Sequence, residues 1–168
     1  MNELNSKLRD RAIGYGLCQQ WQGDWQDDKS KQELIEMYIR GIDFCIANDY
    51  PSNEFIEEHF DVKMLEENHV YVNRDVVCDR LRRFALFNGH CKGTLNFEQN
   101  DVCDVYVKDD GEISINASGF SRISVNVYGN AKIVVNQSDR AKVFVYNHSA
   151  NSNIECSGKV VVRDRQRD

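Results

Sequence analysis

The chain has 168 residues, of which 41% are hydrophobic and 29% are charged, and its formal net charge is −6. This composition is typical of a globular protein with one core or two small lobes, and it excludes a disordered or collagen-like chain. No apolar run reaches the roughly 20 residues that a membrane-spanning helix needs, so we expect no membrane association.

The N-terminus does not predict export. Residues 1–17 carry charged side chains throughout and contain no apolar segment of the kind found in secretory signals. The six cysteines are scattered along the chain without a Cys-x-x-Cys pair. We therefore expect a cytoplasmic location, with the cysteines as small buried residues rather than disulfides.

The charge is divided unequally along the chain. Residues 1–78 contain sixteen acidic and eight basic residues, whereas residues 79–168 contain eleven acidic and thirteen basic residues. Excess acid in the first part would repel phosphate, which argues against nucleic acid as a partner. The same asymmetry would favour head-to-tail attraction between neighbouring copies.

Residues 1–78 are predicted to form a helical cap domain of three or four helices. Apolar residues recur at three- and four-residue spacing over 3–21, which predicts a first helix that ends at Gly23. Ser30 and Glu33 have the spacing of a capping box, so a second helix is predicted to start there. The broad apolar stripe that follows marks it as the most buried helix of the domain.

The second predicted helix extends to Ile46 and stops before Pro51, because the residue that precedes a proline disfavours helix. Shorter helices are predicted around Phe55 and after Asp61. Val70–Val72 is predicted to be a first short strand.

Residues 79–168 are predicted to form a β-repeat domain. Apolar pairs return every ten residues in four consecutive copies, namely Ile113 with Ile115, Ile123 with Val125, Ile133 with Val135, and Val143 with Val145. An asparagine follows each of the first three pairs, and a small residue and a base precede each of the last three. One such unit is too small to bury its own apolar face, so stacked units must share a core.

The predicted fold class is α+β, with the helical lobe packed on a repeat-built β-solenoid in which about two units make one coil. In such a stack, asparagines at equivalent positions can bond laterally to one another. An antiparallel β meander or sandwich is the alternative, because Asp110-Gly111 and Gly129-Asn130 suit tight hairpin turns.

Three segments of the repeat region, residues 119–123, 129–133 and 138–143, carry a resemblance to known proteins. They resemble the decapeptide-type β-solenoid repeats of small bacterial and phage proteins, and bactofilin-like proteins share the same stacked-strand principle. The resemblance implies a non-enzymatic scaffold or binding surface. It brings no functional residues with it.

No stretch of the sequence predicts a catalytic residue, a metal site or a cofactor. His90 and Cys91 are near Cys78 and Cys103 in the sequence, but the paired ligands of known zinc sites are missing. The four histidines lack the context of a nucleophile and its base. An enzyme is therefore the less favoured interpretation.

Two features keep a small carbohydrate-binding or carbohydrate-cleaving protein as the alternative function. Acidic residues cluster between Asp101 and Glu112, and many polysaccharide-cleaving enzymes are β-helices that use paired carboxylates. The same positions are turns, where acids favour turn formation. Trp21 and Trp25 flank a polar turn and would suit a sugar site, a partner site or a place in the core.

The candidate binding residues are four bases, three of which directly precede a repeat strand. They are Arg122, Lys132 and Lys142, with Arg140 nearby. If the units share one face, these side chains form a basic ridge with a step of about 5 Å; if the units alternate between two faces, alternate members lie farther apart. Such a ridge suits a polyanion, an acidic glycan or the acidic part of another copy. Bases beside strands also serve to discourage edge aggregation.

The favoured function is a non-catalytic interaction or assembly module that presents a repeat-built β surface to a protein or polyanionic partner. A stacked solenoid has two open ends, and the predicted helices can cover one of them. The other end follows Val160 and is either kept apart by its charged tail or buried by a second copy in a homodimer.

Overall fold

In the computed structural model, residues 1–78, 81 and 83–166 are described, without the side chains of Val77 and Cys78. The chain divides into two compact units, a helical unit over Met1–Asn68 and a β unit over His69–Asp168. Helices followed by strands confirm the predicted α+β class.

Six short helices make up the helical unit in the described part of the chain. They are α1 (Glu3–Gly14), α2 (Gln19–Asp24), α3 (Lys31–Arg40), α4 (Ile42–Ala47), α5 (Asn53–His59) and α6 (Val62–Glu67). No helix among the described residues is long and apolar enough to cross a membrane.

Glycines divide the two helices that the sequence predicted as continuous. The helix predicted over residues 3–21 separates into α1 and α2, because Gly16 adopts a left-handed φ of +88°, a conformation that ends helices. The second separates into α3 and α4 at Gly41. Its predicted start is confirmed, since Ser30 and Glu33 form a capping box. The prediction of three or four helices was therefore too low.

A buried polar side chain ties α1 to the segment that follows α2. Asn5 is fully buried, and its Oδ1 accepts hydrogen bonds of 3.0 Å from both Trp25 Nε1 and the Lys29 amide. In the same way, Tyr50 Oη donates to the Leu8 carbonyl at 2.7 Å. These bonds position α1 more specifically than apolar contacts can, because a hydrogen bond fixes direction as well as distance.

Eleven strands make up the described β unit. They are β1 (Val70–Val72), β2 (Asp75–Cys78), β3 (Arg83–Asn88), β4 (Lys92–Phe97), β5 (Val102–Val107), β6 (Glu112–Ala117), β7 (Arg122–Val127), β8 (Lys132–Gln137), β9 (Lys142–Asn147), β10 (Asn153–Ser157) and β11 (Val160–Asp164). Sheet A contains the odd-numbered strands in the order β1-β3-β5-β7-β9-β11, and sheet B contains the even-numbered strands in the order β10-β8-β6-β4-β2.

Successive strands alternate between the two sheets, and each pairs in parallel with the strand two positions along the chain. In the regular part of the stack, Ile113 pairs with Ile133 on sheet B, and Ile123 pairs with Val143 on sheet A. One coil therefore spans twenty residues and contains two of the ten-residue units. The predicted β-solenoid is confirmed, and the antiparallel alternative is wrong for the described strands.

The apolar pairs of the repeat point into the space between the sheets. Val105, Val125 and Val145 of sheet A have no exposed surface, and they share one core with Ile115 and Val135 of sheet B. Burial of a side chain of this size contributes about 1.5–3 kcal/mol relative to exposure. The core is thus continuous along the stack, as the repeat pattern predicts.

Each regular turn contains one residue with a left-handed backbone. These residues recur at ten-residue spacing with φ values between +53° and +72°: Gly89, Gln99, Asp109, Gly119, Gly129 and Asp139. Both aspartates in this set also bond across one coil, since Asp109 accepts from the Gly89 amide at 2.8 Å and Asp139 accepts from the Gly119 amide at 3.0 Å. The turns are therefore stacked as regularly as the strands.

Candidate binding surface of the solenoid

The structure separates the four predicted binding residues. Arg122 and Lys142 are register partners on β7 and β9 of sheet A. Arg140 lies in the turn that leads into β9. Lys132 begins β8 and is on sheet B. The units alternate between two faces, so Lys132 lies apart from the other three.

Arg140 is held beside an exposed aromatic ring. Its guanidinium carbon lies 5.6 Å from the centre of the Phe120 ring, and Phe120 is 57% exposed. The Arg140 amide also donates to the Gly119 carbonyl of the preceding coil at 2.9 Å. A cation over an aromatic face is attracted to it electrostatically, so the ring restricts Arg140 to the edge of the stack next to β9.

Lys132 belongs to a row of alternating charges on sheet B. Its Nζ lies 3.3 Å from Glu112 Oε1, and Lys92 Nζ lies 3.6 Å from Glu112 Oε2. The hydrogen bond from Lys132, followed by the charges of Lys132 and Lys92, lowers the pKa of Glu112. By contrast, no described carboxylate lies within 4.0 Å of Arg122 or Lys142. The positive charges of Lys92 and Lys132 on sheet B are therefore next to a carboxylate, whereas among the described residues those of Arg122 and Lys142 on sheet A are not.

Partly buried aromatic rings line the outer face of sheet A. The rings of Phe84 and Tyr106, on β3 and β5, have centroids 5.5 Å apart. At the ends of β7 and β9, Tyr128 stacks on His148 with centroids 4.4 Å apart and planes 6° apart. His148 Nε2 also lies 3.2 Å from Asn126 Oδ1, and the His148 side chain is partly buried.

Two further rings lie beneath arginines of the last strand region. The Arg163 guanidinium lies 5.8 Å from the centre of the Phe144 ring, and the Arg165 guanidinium lies 5.5 Å from the centre of the Tyr146 ring. The sequence analysis did not identify this aromatic and basic surface. A usable signal was present for Tyr106 and Phe144, because an aromatic residue between two members of a buried apolar pair must point away from the core.

Sheet B carries a polar ladder instead of rings. Asn136 Nδ2 donates to Asn116 Oδ1 at 3.0 Å, and Asn116 Nδ2 donates to Asn96 Oδ1 at 2.9 Å. Ser157 Oγ continues the ladder with a bond of 2.8 Å to Asn136 Oδ1. The predicted lateral bonding of asparagines is confirmed for sheet B, whereas Asn126 lies on sheet A and is outside this ladder.

Three carboxylates that the sequence offered for acid–base catalysis accept hydrogen bonds within a turn or between turns of neighbouring coils. Asp101 Oδ2 accepts from the Glu98 amide at 2.8 Å, and Asp110 Oδ1 accepts from Asn130 Nδ2 at 3.1 Å. Together with the cross-coil bond of Asp109, these contacts stabilise the turns. A role in turn formation is sufficient to explain why acids occupy these positions.

The cysteines and histidine that were compared with a metal site are dispersed. Cys91 and Cys103 are buried in the core, and burial raises the pKa of the Cys91 thiol. Cys91 Sγ donates to the Asn88 carbonyl at 3.1 Å, while His90 is exposed. The Cys78 side chain lies outside the described residues. Within the described part of the chain, no group of three His, Cys, Asp or Glu residues is placed to hold a metal ion.

The last coil leaves apolar positions uncovered. β10 and β11 end sheets B and A, so each has one edge without a paired strand among the described residues. Val162 is 46% exposed although its register partner Val145 is fully buried. Cys156 is likewise exposed although its partner Val135 is buried. We call this region, strands β10 and β11, the open end.

Comparison of the sequence with protein-family models and curated proteins, and of the fold with solved structures, gives no match.

Proposed function

We propose that this protein is a non-catalytic interaction module whose solenoid presents the outer face of sheet A to a polyanionic partner. One observation carries the proposal. Arg122 and Lys142 are register partners, and no carboxylate of a described residue lies within 4.0 Å of either. Like charges in such a position repel each other, and a bound anion would relieve the repulsion.

The surroundings of this pair support the same partner class. Arg140, Arg163 and Arg165 add positive charge at one edge and on the last strand region, each beside an aromatic ring. Rings and guanidinium groups together provide apolar contact area and charge, which suits an extended chain that carries regular negative charges. An extended acidic protein segment has this character, whereas the acidic first part of a second copy is folded into helices and would offer only its charge.

The test measures binding of fluorescein-labelled poly-L-glutamate by fluorescence anisotropy at several salt concentrations. The double variant Arg122→Glu/Lys142→Glu is expected to lose affinity by about tenfold or more at low salt, because two favourable charges become unfavourable. The wild-type affinity is expected to fall as salt rises.

A matched control distinguishes the effect of the sheet A surface on binding from the effect of the total charge. The variant Lys92→Glu/Lys132→Glu changes the net charge by the same amount but alters sheet B, where both lysines contact Glu112. Its affinity for poly-L-glutamate is expected to stay close to that of the wild type. Equal losses in the two double variants would contradict the proposal, since they would point to net charge alone.

We also propose that two copies of the protein associate through the open end, which exposes apolar side chains and unpaired strand edges. A second copy that covered Val162 and Cys156 would remove apolar surface from water and pair the free edges of β10 and β11. Light scattering over a range of concentrations tests for this homodimer. A monomer mass that does not change with concentration would contradict it.

A carbohydrate-binding protein is the alternative, and the rings of sheet A favour it. Phe84, Tyr106 and Tyr146 could provide apolar contact for sugar rings. A glycan array tests binding, and a reducing-sugar assay tests cleavage. Binding of neutral glycans would favour this alternative over the polyanion. The resemblance of the repeats to those of small bacterial and phage proteins supports a bacterial or phage source, and the scattered cysteines support a cytoplasmic location.

A further inference from the structure

The helical unit contains an apolar cavity of about 360 Å³. Side chains from all six helices and from the loops between them line it, including Leu8, Trp21, Trp25, Leu34 and Phe60. The only two tryptophans of the chain are both among the lining residues. Wall atoms that face unfilled space lose dispersion contacts, so an occupant of matching size is favourable.

The volume sets the size of such an occupant. An apolar cavity of roughly 150 Å³ holds a benzene molecule, and ligand pockets for larger organic molecules begin at about 300 Å³. A cavity of 360 Å³ therefore accommodates a molecule about the size of two fused or linked aromatic rings.

The interior does not select for a polar ligand. The Trp25 indole already donates to Asn5, and the Tyr50 hydroxyl already donates to the Leu8 carbonyl. Among the described residues, no side chain that lines the cavity has a buried nitrogen or oxygen atom that lacks a hydrogen-bond partner. A space with such walls favours an apolar molecule over water.

The mouth of the cavity is neutral overall. Its exposed charged lining residues are one base, Arg40, and one acid, Asp43. The Arg40 guanidinium lies 5.2 Å from the centre of the Trp21 ring, which fixes the ring as one wall of the opening. An ionic ligand would meet charges of both signs here, so a neutral molecule is favoured.

We infer that the helical unit binds a neutral, apolar small molecule, aromatic or aliphatic, in the cavity between Trp21, Trp25 and Leu34. This site is independent of the basic surface of the solenoid.

The probe for the test is 1-naphthylamine, a neutral molecule of two fused aromatic rings that accepts energy from excited tryptophan. The expected result is saturable binding with one probe per chain, with energy transfer from the tryptophans. In addition, the two indole N–H signals in a two-dimensional ¹⁵N NMR spectrum are expected to shift with the same affinity. Absence of saturable transfer, or indole signals that do not move, would overturn the inference.

Variants that fill the cavity give a second, separate readout. Leu34→Phe, and Ala12→Leu if the first does not fold, are expected to weaken probe binding at least tenfold, with folding checked by circular dichroism. Val162→Asp alters the open end of the solenoid and serves as the control, because the exposed apolar residues there are an alternative place for the probe to bind. Loss of binding in the control, or unchanged binding in the folded cavity variants, would refute the site.

Discussion

Arg122 and Lys142 are adjacent positive charges on neighbouring parallel strands, whereas Glu112 on the opposite sheet lies between two lysines. The first arrangement costs stability and the second does not. This contrast leads to the first prediction.

We expect Arg122→Glu to stabilise the protein and to weaken binding of poly-L-glutamate at the same time. The new glutamate would attract Lys142, and an opposite-charge pair across strands contributes about 0.2–1 kcal/mol. Urea unfolding measures the first effect and anisotropy measures the second. A variant that is less stable than the wild type would show that Arg122 is not repelled by its neighbour.

The left-handed turn positions predict a second effect. Gly129 has a φ of +64°, and an added Cβ would lie 3.0 Å from the amide nitrogen and the carbonyl oxygen of Asp109. Gly129→Ala is therefore expected to lower the free energy of unfolding by about 1–3 kcal/mol. Thermal unfolding measures the change.

Gly23→Ala is the matched control for the turn glycine. A Cβ at Gly23, within α2, meets no atom within 4 Å, so this substitution is expected to be neutral or to stabilise by up to about 1 kcal/mol. Similar losses in both variants would show that the turn conformation is not the cause.

Neighbouring residues of β8 test which side of the sheet faces the core. Ile133 is 1% exposed and Val134 is 37% exposed. Ile133→Ala is expected to cost about 2–5 kcal/mol, because it leaves a cavity in the stack, whereas Val134→Ala should cost less than about 1 kcal/mol. Chemical denaturation of both variants measures the difference. A reversed order would contradict the register of β8.

The pKa of Glu112 predicts an acid-dependent effect. Its folded-state pKa lies below the ordinary value of 4.5, so the lysine contacts stabilise the fold above that pH, and this stabilisation is lost as the pH falls through the folded-state pKa. Lys132→Met removes the largest cause, and we expect the pKa of Glu112 to rise towards its ordinary value. Carboxyl ¹³C NMR during an acid titration measures this pKa. An unchanged value would show that Lys132 does not contact the carboxylate in solution.

The ten-residue pattern was enough to predict the strands and their shared core. Ile123, Ile133 and Val143 must be buried because each belongs to a short apolar pair that cannot form a core alone. The pattern did not decide which strands share a sheet, since a ten-residue spacing is compatible with one face or two. The strand pairing decides this, since Arg122 pairs with Lys142 on sheet A and Lys132 pairs with Glu112 on sheet B.

Other features depend on contacts that the sequence spacing does not contain. The apolar stripe through α3 and α4 is continuous in the sequence, and the break at Gly41 arises from the local backbone. The cavity beside Trp21 and Trp25 is the space left when six helices meet, so no single segment encodes it. The capping box at Ser30 was predictable because its bonds join residues only three positions apart.

The twenty-residue coil also determines how this solenoid can change in length. A tandem duplication or deletion of twenty residues within the stack would leave each later side chain facing the same direction, so both outer surfaces would grow or shrink together. A change of ten residues would transfer Lys142 to the asparagine-bearing side and exchange the two surfaces beyond that point. Insertions of whole coils should therefore leave binding to a partner intact. Insertions of half a coil should exchange the two surfaces, and with them the binding properties, in the part of the stack that follows.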